Sequence, residues 1–243
     1  MTKLRDSVIR IQDMLLVVLI FAIAIGFSYY VINYPQDKIV ERFMSYDKII
    51  TAISQHVKIV VISSLLAIST SVPLGIILTR PGFKKFAPRV LSIVNIGQTI
   101  PSLAIVALFV GILGIGINTA ILALWIYSLL PILNNTLVGI IGVDKSIIEA
   151  AKGMGMQPKR ILFKIEIPLA LPVMVAGIRT AVTINIGTAI FAAFVGGGGL
   201  GDLIIAGNNV NRWQILVLGA TLPALMAILS DIAFGIVERK TTI

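Results

Sequence analysis

The 243-residue chain contains no cysteine and one histidine, and only 13% of its residues are charged. Without thiols there is no disulfide framework and no cysteine-ligated metal site. The lone His56 has no neighbouring Cys, His or carboxylate companions, so it reads as a residue near a membrane interface rather than a ligand, and no metal site is expected. No G-x4-G-K-[ST] stretch is present, so the chain lacks the usual backbone cradle for ATP phosphates. Charge is scarce because apolar residues fill the space: 57% of the sequence is hydrophobic and the mean hydropathy is +1.00. Soluble domains are nearer a quarter charged, so the composition implies an integral membrane protein. Spans of about 20 residues each leave no room for a soluble catalytic domain.

Six apolar segments follow one another. They run approximately over Met14–Tyr34, Val57–Thr79, Val90–Ile115, Asn118–Ile141, Leu169 to just before Gly196, and Trp213–Val237. The first is too long for a cleavable signal core and reads as an uncleaved anchor behind Lys3, Arg5 and Arg10. Residues Pro35 to His56 mix charges with Ile39, Phe43, Ile49, Ile50 and Ile53, the pattern of a short interfacial amphipathic helix. The organisation expected is an anchor and outer interfacial segment over 1–56 and a transporter core over 57–243. Gln98-Thr99-Ile100-Pro101 interrupts the third span, and Pro131 with Asn134-Asn135 the fourth, so both are expected to break midway. With the N-terminus inside, fourteen Lys and Arg flank the inner ends, against five outside and Arg179 within a span. The positive-inside rule then puts both termini and the loop over 143–168 in the cytoplasm.

That loop carries Ser146-Ile-Ile-Glu149-Ala150-Ala151-Lys-Gly-Met-Gly155 and Ile165-Glu-Ile167-Pro168. The S-x-x-E spacing predicts a capping box starting a helix at Ile147, with a stop at Gly153 or Gly155. Pro158 restarts a helix whose Ile161, Leu162 and Ile165 share one face. The product is a compact helical hairpin. Glu149 can offer a carboxylate to a partner arginine, and Ala150 and Ala151 allow close approach; alternatively Glu149 only caps its helix.

The pattern E-A-A-x3-G-x9-I-x-(L/I)-P resembles the loop by which permease subunits of ATP-binding-cassette (ABC) importers touch their ATPases. Together with Gly97-Gln-Thr-Ile-Pro-Ser102, Tyr127-Ser-Leu-Leu-Pro-Ile132, Gly177-Ile-Arg-Thr180, Asn185-Ile-Gly-Thr188 and Gly197-Gly-Gly-Leu-Gly-Asp202, the chain from about Ile53 onward resembles permeases of the glycine betaine/carnitine/choline class of osmoprotectant importers. The resemblance implies an all-α type I importer transmembrane domain of about six helices in a prokaryotic plasma membrane. Its partners would be two cytoplasmic ABC ATPases, a second permease identical or homologous to this one, an extracytoplasmic binding protein and lipid, with no nucleic acid. ATP would be used by the ATPases, with no cofactor and no catalytic residue on this chain. Glu149, Ala150, Ala151, Gly155, Ile165, Ile167 and Pro168 would form the ATPase-coupling surface; Ile167 stands where the pattern more often has Leu.

Polar residues within spans are the candidates for the pathway: Gln98, Thr99, Pro101, Asn134, Asn135, Asn185 and Thr188. Facing a water-filled route or hydrogen bonding between helices would each account for them. Arg179 must pair or see water at its depth, which favours a structural or coupling role. Asp231 reads as snorkelling toward Arg239 or Lys240. Tyr127 and Trp213 read as packing or interfacial residues more readily than as cation–π contacts. Gly196 to Gly201 formally fits G-x-G-x-x-G but lacks a βαβ setting, so an outer turn or re-entrant gate suits it better. The rival class is an ion- or proton-driven secondary carrier of small organic solutes, for which broken helices are a known device. A membrane scaffold without transport is the third.

Overall fold

The computed structural model describes residues 18, 19 and 21–241, which are helical apart from short connections. In chain order the α-helices are α1 (Phe21–Asn33), α2 (Lys38–Phe43), α3 (Tyr46–Leu78), α4 (Ala87–Thr99), α5 (Ser102–Leu113), α6 (Ile117–Ile141), α7 (Lys145–Gly153), α8 (Pro158–Ile161), α9 (Ile167–Thr188), α10 (Gly201–Asn209) and α11 (Trp213–Thr241). Among the described residues four helical rods are long and apolar enough to cross a membrane, and the α4–α5 pair, bent by 97°, makes a fifth if counted as one span. The first sequence-predicted span begins outside the described residues; its described part is α1.

Two boundaries differ from those read in the sequence. Helix α3 starts at Tyr46, so it runs through 46–56, where an interfacial segment was expected, and crosses the 56/57 division. The charges there occupy one side, while Ile49 and Ala52 are buried with Leu200, Leu203, Ile215 and Leu218. Only α2 remains as a separate short helix. Asp37 caps it by accepting from the Ile39 and Val40 N–H groups at 3.0 and 2.9 Å, and Arg212 holds the same carboxylate. Both sets of donors keep the Asp37 carboxyl below its ordinary range.

The second difference is α6, which is unbroken despite Pro131. The break of the third span does occur. Ile100, preceding Pro101, is extended at φ −78°, ψ 132°, as a pre-proline residue favours, and the helix restarts at Ser102.

Packing proceeds in sequence order: α3 on α6, α6 on α9, α9 on α11, with α10 laid against α11. The central core joins Ile59 and Val60 of α3, Val106 of α5, Leu124 of α6 and Ile186 of α9. His56 lies fully buried at this junction, its Nε2 3.0 Å from the Ile186 carbonyl, rather than at an interface. Between membrane helices, tight packing depends on small residues. A Cβ placed on Gly177 of α9 would sit 2.5 Å from the Asn135 Cβ and 2.8 Å from the Pro131 carbonyl oxygen. Gly177→Ala should therefore lower the thermal unfolding midpoint in detergent, at a cost of about 1–3 kcal/mol; an unchanged midpoint would show that the α6–α9 seam has slack.

Candidate functional site

Two surfaces bear on function, one on the hairpin between α6 and α9 and one along α4. The first is the hairpin over 143–168. Helix α7 begins at Lys145, earlier than a Ser146 cap would allow, because Asp144 is the cap and its carboxylate accepts from the Ser146 N–H at 2.8 Å. That contact depresses the Asp144 carboxyl, so its stabilisation is complete above the ordinary value of 3.8 and is lost as pH falls through the lowered one. Gly155, at φ 77°, closes the turn, and Pro158 opens α8. From Pro158 to Val195 the chain is one helical rod, with a π-helical turn at Leu162–Glu166.

Glu149 and Ala150 are exposed, while Ala151 is buried. Ile165, Ile167 and Pro168 are half-buried where the rod enters the bundle. Large apolar side chains stand out around them: Ile147 is 42% exposed, Phe163 67% and Met154 75%. Glu149 also lines a cleft of about 500 Å³ with Arg80, Lys84, Lys145, Lys152 and Glu166. Here Arg80 forms an ion pair with the nearly buried Glu166, a contact that sequence reasoning missed. A solitary acid among apolar neighbours in a lysine-rich loop was the signal that could have found it.

The second surface is a groove of about 520 Å³ between α4 and α6, lined by Pro88, Leu91, Ser92, Asn95, Gln98, Leu130, Pro131 and Asn134. It brings together Gln98 and Asn134 of the candidate pathway set. Ser92 and Asn95 join them, and their spacing of three from each other and from Gln98 was a legible helical face. Thr99 and Pro101 lie exposed at the α4–α5 bend. The remaining candidates sit elsewhere. Asn135 donates to the Pro131 carbonyl and meets Gly177. Asn185 is wholly buried, its Nδ2 within 3.0–3.3 Å of the Ser63, Ser64 and Ser128 hydroxyls of α3 and α6. Thr188 bonds the Ile184 carbonyl of its own helix.

Gln98 explains why α6 survives its proline. Pro131 has no N–H for the carbonyl four residues back, that of Tyr127. Gln98 Nε2 donates to it at 2.8 Å from α4.

Arg179 is paired: its guanidinium makes two 2.6 Å bonds to the Asp231 carboxylate and a 3.0 Å bond to Glu238. Asp231 therefore turns to α9 rather than to Arg239 or Lys240. At the far end of the rod, Gly198 and Gly199 adopt φ 75° and 98°, and the Gly199 N–H donates to Gln55 of α3. The expected outer turn is thus packed, and α10, unforeseen in the sequence, follows it. No cluster that could hold a metal occurs among the described residues.

Residues 71–243 match the family described as binding-protein-dependent transport system inner membrane component. The chain is similar to the choline transport system permease protein OpuBB of Bacillus subtilis (strain 168), 47% identical over 188 residues that cover 77% of this chain and 86% of the relative. It is also similar to the carnitine transport permease protein OpuCD of Listeria monocytogenes serotype 1/2a (strain 10403S), 48% identical over 170 residues covering 70% and 75%. Among solved structures, the MetNI methionine ABC transporter in inward-facing conformations superposes with a TM-score of 0.73 over 80% of this chain and 96% of that one. Identity there is 22%, so this likeness establishes the fold.

Replacing Gln98 by Leu should destabilise the protein by about 1 kcal/mol, the net worth of one partly buried hydrogen bond. Adding Pro131→Ala, which returns an N–H to the Tyr127 carbonyl, should remove most of that loss. Equal losses with and without the Pro131→Ala substitution, measured by unfolding midpoints, would rule the bond out as the cause.

Proposed function

Because the chain belongs to the binding-protein-dependent transport system inner membrane component family, we propose that it carries osmoprotectants such as glycine betaine, choline or carnitine through the α4–α6 groove. It is a membrane-spanning permease subunit of an ABC importer, a multi-pass protein that works with an ATPase and a substrate-binding protein. The importer assignment displaces the ion-driven carrier as the reading of its broken third span.

The substrate class rests on the relatives, whose names include choline and carnitine permeases. The groove suits such solutes. Its polar lining of Ser92, Asn95, Gln98 and Asn134 is neutral, so it neither repels a quaternary ammonium nor holds it tightly. Discrimination then falls to the separate binding protein. The second permease, identical or homologous, covers the open side of this groove.

The observation that carries the mechanism is the exposed hairpin mounted on a continuous helical rod with a π-helical turn at its base. Helix α7 seats in a groove of the ATPase, with Glu149 facing a partner cation, Ala150 permitting contact, Ala151 packed inward against its own chain and Gly155 fixing the turn. Ile165, Ile167 and Pro168 anchor the hairpin to the bundle. The Lys- and Arg-rich end therefore faces the cytoplasm, with both termini. ATP is bound and hydrolysed on the partner, and this chain contributes movement, not chemistry. Arg179, clamped to Asp231 and Glu238, makes α11 follow α9.

In proteoliposomes holding the complete transporter, Glu149→Arg should reduce ATP-driven betaine or choline uptake by about ten-fold or more. Uptake at the unaltered rate would remove the coupling role from this helix.

A further inference from the structure

The groove's α6 wall runs into the hairpin through residues 142–144, but its other wall, α4, is distant from the hairpin in sequence and needs a connection of its own. The described structure offers one direct tie between the hairpin's base and the segment leading into α4. Glu166 closes the π-helical turn, with its side chain only 11% exposed. Its Oε2 accepts from Arg80, the second residue beyond the end of α3, at 2.5 Å. Arg80 is itself held in place: its Nε and the same terminal nitrogen donate to Thr79 Oγ1 at 3.0 and 2.8 Å.

From Arg80 the chain reaches α4 without slack. The Arg80 carbonyl accepts from both Phe83 and Lys84 N–H groups at 2.9 Å, closing the turn. A 3-10 turn at Lys84–Phe86 then runs directly into Ala87, the first residue of α4. Ser92, Asn95 and Gln98 follow on that helix, and Gln98 is bonded to α6. Every link from Glu166 to the groove is therefore a hydrogen bond, an ion pair or a continuous helix. The π-helical turn adds the place for flexure. Such turns insert an extra residue into the α-helical ladder and recur at functional positions.

We propose that the Arg80–Glu166 ion pair is the positioning contact that transmits movement of the α7–α8 hairpin to α4, and so opens and closes the polar groove. The inference rests on α7 being the ATPase contact. Neither residue touches solute; both act through α4. A partly buried pair suits the task because its geometry is specified by charge and direction, whereas apolar contacts between the same elements would slide.

The natural absence of cysteine makes the test direct, since any introduced thiol is the only one on the chain. Ser92→Cys reports on the groove face of α4, and Lys152→Cys reports on the hairpin. Each is placed in the complete complex in proteoliposomes, and its maleimide reaction rate is compared with and without ATP plus vanadate. Both rates should respond to nucleotide in the parent complex. With Glu166→Gln or Arg80→Gln added, the Lys152→Cys response should persist and the Ser92→Cys response should disappear, with uptake per ATP hydrolysed falling about ten-fold. Should a single variant fail to assemble, Arg80→Met with Glu166→Leu removes the tie without stranding a buried charge and carries the same expectation. The exchange Arg80→Glu with Glu166→Arg should restore the Ser92→Cys response.

A Ser92→Cys response that survives loss of the pair would overturn the proposal while leaving the ATPase contact intact. A parent complex in which Lys152→Cys ignores nucleotide would instead sink the ATPase-contact reading, and the transmission proposal with it.

Discussion

A backbone immersed in hydrocarbon has no water to fall back on, so each peptide group must find its partner within the protein. That requirement decides where this chain is rigid and where it bends. Pro73, Pro172, Pro131 and Pro223 all lie inside continuous helices. At Pro131 the compensation is visible as the Gln98 amide from a neighbouring helix. At Pro101 the residue before it instead takes extended geometry, and the span bends by 97°. The same bond that keeps α6 straight fixes α4 against it, so the groove owes its shape to an obligation of the main chain.

Local chemistry made much of this readable. Apolar runs located the later spans, glycine and proline punctuated the hairpin, and the Ile100-Pro101 break followed from steric clash alone. What escaped depended on partners distant in sequence. The continuity of α6 could not be seen from Pro131, because the group that rescues it lies on α4. His56 looked interfacial among the charged residues of 37–48, yet α3 passes straight through them and buries it against α9. Asn185 carried the marks of a pathway residue, but three serines from α3 and α6 converge on it. The helix cap fell on Asp144 rather than Ser146, two acceptors competing within one turn. Helix α10, nine residues behind a glycine run, was too short and too near a turn to declare itself.

The charges that do enter the bundle are placed as ties between elements. Arg179 binds α9 to α11, Arg80 binds the end of α3 to the base of the hairpin, and Arg212 binds the start of α11 to the cap of α2. Each arginine is two-thirds or more shielded, and each reaches a carboxylate on a different element. Among the described residues, Asp37, Glu166, Asp231 and Glu238 are held in this way. Hydrophobic matching cannot choose one helix neighbour over another where the surrounding lipid is as apolar as leucine. Directional pairs supply that choice.

The rod from Pro158 to Val195 spans 38 residues, on the order of 57 Å at the rise of an α-helix. One foot stands on the hairpin and the other on the glycine turn clasped by Gln55. Above the π-helical turn the rod carries the glycine turn with it, so a tilt imposed at the hairpin end displaces the far end in the opposite sense about any pivot between them.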